Sequence, residues 1–196
     1  MKGREEELSD NFIKTDLTGV FLIEPKSFSD NRGFFMEVYH RNRYGREGIE
    51  ETFVQDNYSH SRRGTLRGLH YQLEHAQAKL IYVIRGEIFD VALDIRKHSP
   101  TFGQWIGQTL SAENRRQMFI PKGFAHGFCV LSEEADVMYK CTDFYTPGDE
   151  YGVFWADPAI KIAWPVADVI LSEKDGRNPL LSDIPEDLLP EYDDDK

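Results

Sequence analysis

Short runs of apolar and β-branched residues alternate with turn residues through the middle of the chain. The runs are rich in Val, Ile, Phe and Tyr, and Gly, Pro, Asn or Asp bound most of them. This spacing is typical of a β-sandwich or a β-barrel. The runs are GVFLIEP, GFFMEVY, TFVQDNYS, AKLIYVIRG, EIFDVALDIR, WIGQTL, RQMFIP, GFCVLS and VMYKCTDFY. The pattern therefore predicts a mostly β fold.

Turns and a little helix complete this prediction. Arg85-Gly86-Glu87 separates two of the strand-like runs. We interpret it as a tight hairpin turn in which Gly86 takes a positive φ. Helical turns are predicted within RNRYGREGIE, residues 41–50, and within SDIPEDLL near the carboxyl end.

The two ends of the chain differ from its middle. Residues 1–10 are charged and nearly devoid of apolar side chains, and residues 185–196 close with an acidic run. Such segments bury little surface and fray, so we expect a flexible N-terminal extension and an acidic C-terminal tail. Between them no linker or repeat divides the chain, and 196 residues suffice for one sizeable core. Residues 11–184 are therefore predicted to form one domain.

Charge and composition exclude several classes of function. A formal net charge of −11, with no dense basic patch, argues against a nucleic-acid partner. No apolar run approaches the roughly 18 residues that span a bilayer, and no secretory signal opens the chain. Cys129 and Cys141 lie in apolar stretches, as expected of reduced thiols. We expect a cytoplasmic protein that does not enter a membrane.

The most informative stretch is GTLRGLHYQ, residues 64–72, followed by QAKL, residues 77–80. On an extended strand, His70 and Gln72 share one face, which makes that face a candidate site lining. A single histidine is more often a surface or core residue. Here, however, Arg67 and Lys79 lie nearby in sequence.

A second stretch, IPKGFAHGF at residues 120–128, contains His126. Together the two stretches resemble the two halves of the cupin motif, which implies a jelly-roll barrel. Metal-binding cupins carry a second His and a Glu where this chain has Gln72 and Lys79. An ammonium group there disfavours a divalent cation, although His75 offers a substitute ligand. Lys79 is suited instead to stabilising negative charge on a substrate oxygen, or to binding a phosphate.

Across its length the sequence resembles the dTDP-4-dehydrorhamnose 3,5-epimerases, which are metal-free cupins. The matching segments run in family order from about residue 14 to residue 183, and a chain of matches is far more specific than any single motif. They are EPKSFSDNRGFFMEVY, FVQDNYSHS, LRGLHYQ, AQAKL, GEIFDVALDIRKHSPTFGQW, LSAENRRQMFIPKGFAHGF, YKCTDFYTP and LSEKD. The resemblance implies an epimerase that needs neither a metal ion nor another cofactor.

The resemblance also implies catalytic roles. His70 is the expected general base, Asp175 its carboxylate partner, and Tyr139 the proton donor on the opposite side of the sugar ring. We assign Lys79 to the enolate oxygen. An imidazole is suited to proton transfer near neutral pH, and a carboxylate stabilises the cation formed. Without the resemblance, Asp175 would be interpreted as a solvated loop residue, and Tyr139 equally well as a core tyrosine.

The substrate-binding residues follow in the same way. An Arg fork suits phosphate oxygens, and an aromatic ring can stack on thymine. The segment with Arg32 is expected to enter the site of a partner subunit by strand exchange, which implies a homodimer. The expected substrate-binding residues are Arg32, Phe35, Glu37, Gln55, Asn57, Arg67, His126 and Tyr145. Phe144 departs from the family pattern, since several relatives carry Tyr there.

The expected reaction is epimerisation at carbons 3 and 5 of dTDP-4-dehydro-6-deoxy-D-glucose, giving dTDP-4-dehydro-L-rhamnose. The nearest alternative is a single-carbon epimerase or a ketoisomerase of another 4-keto nucleotide sugar. Two alternatives come from other classes: a metal-dependent cupin oxygenase and a non-catalytic sugar-nucleotide binding module. The presence of His70, Asp175 and Tyr139 together argues against the module, which needs no acid-base set.

Overall fold

A computed structural model describes residues 10–193 of the chain. Within this range most of the ordered elements are strands, as the hydrophobic pattern predicts. The strands are β1 (Asn11–Lys14), β2 (Phe21–Glu24), β3 (Ser27–Asp30), β4 (Gly33–Met36), β5 (Gln55–Arg62), β6 (Leu66–Gln72), β7 (Lys79–Arg85), β8 (Glu87–Asp94), β9 (Trp105–Ser111), β10 (Gln117–Ile120), β11 (Phe124–Val130), β12 (Glu134–Cys141) and β13 (Glu150–Gly152). The helix α1 (Arg41–Arg46) and 3₁₀ turns at Asp175–Arg177, Leu181–Asp183 and Glu186–Leu188 complete the set.

Two antiparallel sheets form the barrel. The six-stranded sheet has the order β1-β2-β10-β7-β12-β5, and the five-stranded sheet has the order β13-β6-β11-β8-β9. Strands β3 and β4 pair only with each other and form a separate hairpin. The mostly β, jelly-roll expectation is confirmed, as are helical turns in both regions where they were predicted.

Alternation of side chains explains why the two sheets pack face to face. On β2, β7 and β10 the residues Leu22, Ile81 and Met118 point inward and join one core cluster with residues of the other sheet, such as Ile88 and Phe128. Their sequence neighbours point outward, since successive side chains of a strand face opposite sides. These neighbours, Ile23, Leu80 and Phe119, pack around Tyr44 of α1 in a second cluster.

The outer face of the five-stranded sheet is covered by the chain that follows β13. Leu69 of β6 and Leu93 of β8 pack against Leu181, Ile184 and Leu189. These carboxyl-terminal side chains are buried, so each sheet is covered on both faces over much of its area. The same segment places Asp175 at the wall of the barrel.

The hairpin predicted at Gly86 is wrong, although its positive φ is correct. β7 and β8 belong to different sheets, so the chain turns a corner between the sheets at this point. Gly86 has φ +78°, and a Cβ there would lie 2.1 Å from the carbonyl oxygen of Glu134. A hairpin and a sheet-to-sheet corner both need a small residue with positive φ, so the local sequence does not distinguish them.

The structure describes residue 10 of the predicted N-terminal extension and residues 185–193 of the predicted C-terminal tail. Asp10, assigned to the flexible extension, is buried and accepts a 3.0 Å hydrogen bond from the Lys26 amide. The tail is docked through residue 192, because the Tyr192 amide donates to the Lys97 carbonyl and Lys97 pairs with Glu191 at 2.6 Å. Leu189 and its neighbours supply apolar contacts that the acidic composition of the segment did not predict. Residues 1–9 and 194–196 of the predicted extension and tail lie outside the described residues.

Candidate active site

A cavity of about 390 Å³, lined mainly by polar residues, opens between the two sheets. It occupies one end of the barrel interior, where inward positions carry polar side chains in place of the apolar ones of the core. On β5 the residues Gln55, Asn57 and Ser59 alternate inward, and on β7 Lys79 lies two positions before the inward Ile81. The cavity is lined by Gln55, Asn57, Ser59, Arg67, His70, Gln77, Lys79, His126, Phe128, Tyr139, Tyr145, Glu150, Ser172, Lys174 and Asp175.

An irregularity in β6 brings Arg67 and His70 into the same cavity. Three positions apart, they would face opposite sides of a regular strand. His126 of β11 pairs with His70 and Phe128 pairs with Arg67, so β6 advances three residues where β11 advances two. This extra residue is a β-bulge, which turns the strand by one position. Gly68 permits the close approach, since a Cβ there would lie 2.6 Å from the Gly127 Cα.

His70 and Asp175 form a close pair, as expected for a base and its carboxylate partner. The His70 Nε2 lies 2.5 Å from the Asp175 Oδ1, and the Asp175 side chain is 5% exposed. The Asp175 amide donates to the Ser172 Oγ at 3.0 Å, which fixes the start of the 3₁₀ turn. Burial would raise the pKa of Asp175, but hydrogen bonds from His70, Ser172 and the Gly68 amide lower it below its ordinary value. The carboxylate is therefore ionised at neutral pH.

Tyr139 and Lys79 occupy the opposite wall. Both belong to the six-stranded sheet, whereas His70 belongs to the five-stranded sheet. Burial, with the Cys141 thiol and the Glu150 carboxylate, raises the pKa of Tyr139 against the opposing effect of Arg67. The phenol is therefore protonated at neutral pH and can donate. Tyr139 also packs against the barrel core, so its predicted core character and its position in the cavity coexist.

Lys79 has no ion pair or side-chain hydrogen bond with any other residue in the described range 10–193. Burial lowers the pKa of Lys79, while Cys141, Glu150 and Asp90 oppose this shift. A lysine side chain that is not already paired can donate to a substrate oxygen at little cost of rearrangement, and negative charge on that oxygen would favour its ammonium form.

His126 is held by a second buried carboxylate. Its Nε2 lies 2.7 Å from the Asp90 Oδ1, and both side chains are almost completely buried. His126 also lines the cavity beside His70, so Asp90 fixes the orientation of an imidazole ring in the cavity wall. His126 was predicted from the sequence, but its partner Asp90 was not.

Gln72 lies at the cavity mouth and does not line the cavity. Its Nε2 donates to the carbonyls of His75 and Phe144 at 2.8 and 3.1 Å, and its Oε1 accepts from the Thr146 amide at 2.9 Å. Gln72 thus ties two mouth loops together, at the position where a metal-binding cupin would present a ligand. Within residues 10–193 no group of three His, Cys, Asp or Glu side chains is arranged to hold a metal ion.

Three predicted substrate-binding residues lie away from the cavity. Arg32 and Phe35 sit on the β3–β4 hairpin, where Phe35 is 70% exposed and Arg32 pairs with Asp30 at 2.6 Å. Glu37 follows this hairpin and pairs with Arg43. Within one chain these residues do not meet His70. The remaining predicted residues, Gln55, Asn57, Arg67, His126 and Tyr145, all line the cavity.

Several lining residues were not predicted from the sequence, and Glu150 and Lys174 are the most notable of them. Glu150 of β13 has one carboxylate oxygen 3.7 Å from the His70 Nδ1, and it pairs with Lys174. Of these two, Lys174 had a signal in the sequence, since it precedes Asp175 in the LSEKD segment. The three-residue strand β13 has too little periodicity to be predicted.

Comparisons with known proteins show which family the chain belongs to. The family described as dTDP-4-dehydrorhamnose 3,5-epimerase matches residues 14–183. A curated relative of that name from Shigella flexneri is 56% identical over 167 residues, covering 84% of this chain and 92% of the relative. A dTDP-4-dehydrorhamnose 3-epimerase from Streptomyces niveus is 38% identical over 179 residues, covering 90% of this chain and 86% of the relative.

A solved structure extends the match to the fold. The dTDP-6-deoxy-D-glucose-3,5-epimerase of Legionella pneumophila, in complex with dTDP-4-keto-L-rhamnose, superposes with a TM-score of 0.93 at 52% identity. The match covers 94% of this chain and all of that one. With a family match over most of its length and relatives above half identity, the chain belongs to the dTDP-4-dehydrorhamnose 3,5-epimerase family.

Proposed function

We propose that the protein epimerises carbons 3 and 5 of dTDP-4-dehydro-6-deoxy-D-glucose to give dTDP-4-dehydro-L-rhamnose. The observation that carries this proposal is the placement of the His70–Asp175 pair and Tyr139 on opposite walls of one cavity. Inversion of a carbon needs a base on one side of the sugar ring and an acid on the other. The comparisons supply the substrate class, because the relatives named above act on dTDP-linked 4-keto sugars.

The reaction begins with His70, whose free ring nitrogen takes a proton from a carbon beside the ketone. The electron pair of the broken C–H bond forms an enolate with the C4 carbonyl. Asp175, ionised because its pKa is lowered, stabilises the imidazolium that results. The Lys79 ammonium stabilises the enolate oxygen.

Tyr139 completes the inversion from the other wall. Because its pKa is raised, the phenol holds its proton until the enolate presents a basic carbon. The proton then adds to the face opposite the one that His70 deprotonated. Carbons 3 and 5 both flank the ketone, so a small shift of the ring lets the same pair serve both. Since the substrate's own ketone acidifies these protons, we propose that neither a metal ion nor a redox cofactor takes part.

The nucleotide is proposed to bind at the wall formed by Gln55, Asn57, Arg67 and Tyr145. The Arg67 Nε donates to the Ser61 Oγ at 3.0 Å, which leaves its terminal nitrogens for phosphate oxygens. We propose that a partner subunit adds the segment with Arg32, Phe35 and Glu37 by strand exchange. The exposure of Phe34 and Phe35 on a hairpin that pairs with neither sheet supports this homodimer.

Mixing two inactive variants tests the shared site. If Arg32 acts in the partner's cavity, Arg32→Ala and His70→Ala should each be inactive as homodimers, yet a mixed dimer should contain one intact site. Random exchange would then restore about one quarter of the unaltered activity, since half of the dimers are mixed and half of their sites are intact. No recovery after denaturation and joint refolding, with mixed dimers demonstrated, would contradict the exchange.

The 3-epimerase name of the Streptomyces niveus relative favours one second candidate, an enzyme that inverts a single carbon. Incubation with the 4-keto sugar in deuterated water separates the two. We expect NMR to show deuterium at both carbons 3 and 5 and the doubly inverted product. Deuterium and inversion at one carbon only would replace the proposal with the single-carbon reaction.

We also propose a cytoplasmic location. Within residues 10–193, none of the helices combines the length and the apolar character that a bilayer crossing requires. Cys129 and Cys141 are free and buried, as suits a reducing compartment.

A further inference from the structure

Glu150 lies on the side of His70 away from Asp175. The His70 Nε2 is 2.5 Å from the Asp175 Oδ1, and the His70 Nδ1 is 3.7 Å from the Glu150 Oε1. A neutral imidazole that donates from Nε2 to Asp175 keeps its lone pair on Nδ1. The nitrogen that takes the substrate proton is therefore the one beside Glu150.

The second oxygen of Glu150 leads towards the cavity mouth. The Glu150 Oε2 pairs with the Lys174 Nζ and accepts a 3.3 Å hydrogen bond from the Tyr145 hydroxyl. Lys174 and Tyr145 are each about half exposed, whereas the side chains of Glu150 and His70 are 20% and 25% exposed. Glu150 thus connects the enclosed base with side chains that reach solvent.

Glu150 is also an ionised acceptor. Burial would raise its pKa, but the hydrogen bond from Lys174 and the nearby His70 lower it. A carboxylate at this point can receive a proton from an imidazolium and pass it on to water. The 3.7 Å gap is longer than a hydrogen bond, so the transfer needs one bridging water or a rotation of the Glu150 side chain.

We propose that Glu150 is the proton-relay group that resets His70 between the two inversions. This inference rests on the proposed function, in which one base serves two carbons. After the first abstraction the proton is on Nδ1, and His70 cannot act again until that N–H bond breaks. The proton moves from Nδ1 to the Glu150 Oε1, directly or through water, and then from the carboxyl group to solvent at the mouth. His70 returns to its neutral form, Glu150 returns to its carboxylate, and the Tyr139 phenolate left by the first inversion takes a proton from solvent.

The Glu150→Gln variant tests this relay under single-turnover conditions, with enzyme in excess over the 4-keto sugar. The amide keeps the size of the side chain but cannot carry the proton. The first inversion uses a base that is already neutral, so its rate should stay within about threefold of the unaltered rate. The second inversion should slow by at least about tenfold, because it waits for the reset. The once-inverted sugar should then accumulate, and rapid quenching with NMR detects it.

A matched control is Glu173→Gln, in the same loop as Asp175. The Glu173 side chain is 78% exposed, does not line the cavity and pairs only with Arg177 among the residues described. This control should show both inversions at unaltered rates. Circular dichroism checks that both variants fold.

The outcomes separate the relay from other roles of Glu150. A residue that only shapes the cavity or binds the sugar would slow both inversions in the same proportion, and this result would overturn the relay. Unaltered rates for both inversions would overturn it as well. If the unaltered protein inverts no carbon at all, the proposed function fails. If it inverts both while Glu150→Gln shows no delay at the second, only the relay fails.

Discussion

The pairing of His70 with Asp175 predicts a specific loss of rate when Asp175 becomes Asn. The substitution preserves the shape of a side chain that is 5% exposed, so the packing of the 3₁₀ turn should survive. It removes the negative charge that lies 2.5 Å from the His70 Nε2. The amide can still accept a hydrogen bond from His70, but it cannot compensate the charge that His70 gains on taking the proton.

The size of the effect follows from this geometry. Hydrogen bonds to charged groups contribute about 1.5–3 kcal/mol, roughly twice the value for neutral partners. The pair is enclosed, with His70 25% and Asp175 5% exposed, so solvent does not replace the lost charge effectively. Each 1.4 kcal/mol corresponds to about a factor of ten in rate. We therefore expect kcat/KM of Asp175→Asn to fall by about 10- to 150-fold.

The assay measures kcat/KM for inversion of the 4-keto sugar, with circular dichroism and thermal unfolding to check the fold. Asp183→Asn is a suitable control, because Asp183 is exposed, lies in the neighbouring 3₁₀ turn Leu181–Asp183 and does not line the cavity. It should retain the unaltered rate. An Asp175→Asn variant that folds normally and works at the unaltered rate would refute the proposed role of the carboxylate.

Three further predictions concern the base, the role of a metal ion and a buried carboxylate that does not line the cavity. His70→Ala should lose about 10²–10⁴-fold or more in rate, with deuterium exchange and inversion lost together, and a variant that exchanges normally would remove His70 from the mechanism. Activity should persist after exhaustive dialysis against EDTA, because Gln72 and Lys79 replace cupin ligands, whereas a loss that one divalent metal restores would contradict this expectation. Asp94→Asn should lower the free energy of unfolding by about 2–4 kcal/mol at neutral pH, because the buried Asp94 carboxylate accepts from Arg96, Ser99 and Thr101. The pKa of Asp94 is lowered in the fold, so this stabilisation is complete above the ordinary carboxyl pKa of about 3.9 and is lost as pH falls below it. Urea unfolding at pH 7 and below pH 4 should show the deficit shrinking with acid, and an equal deficit at both would contradict the assignment.

Much of the fold was predictable because strand alternation is a local property. Leu22, Ile81 and Met118 point inward and their neighbours outward, as period-two patterning requires. What failed was the pairing of distant segments. The turn at Gly86 was correctly placed. However, β7 pairs with β12 and β8 pairs with β11, and these partners lie far away in sequence.

In the candidate site, too, some residues are placed by local alternation and others by contacts between distant segments. Gln55 and Asn57 alternate inward on β5, so their placement follows from one strand. The joint placement of Arg67 and His70 depends on a bulge against β11, which no single-strand rule predicts. Asp175 lies in a polar turn and would have been taken for a solvated loop residue. It is 105 positions from His70, so only the family resemblance suggested the pair.

The acidic C-terminal tail is a separate case. Its acidic composition predicted fraying, yet Leu188 and Leu189 pack against the five-stranded sheet. A few apolar residues that bury their side chains can dock a segment whose average hydropathy is low.

The central claim is that His70 and Tyr139 act from opposite walls, one removing the proton and the other returning it. The most direct test compares the rate of solvent deuterium uptake beside the ketone with the rate of inversion in Tyr139→Phe. The substitution keeps the ring that packs against the core and deletes only the hydroxyl. Because His70 can still form the enolate and return a proton to the same face, we predict continued deuterium uptake with a sharp fall in inverted product. A parallel loss of uptake and inversion in a correctly folded variant would contradict the account and leave Tyr139 as a structural residue.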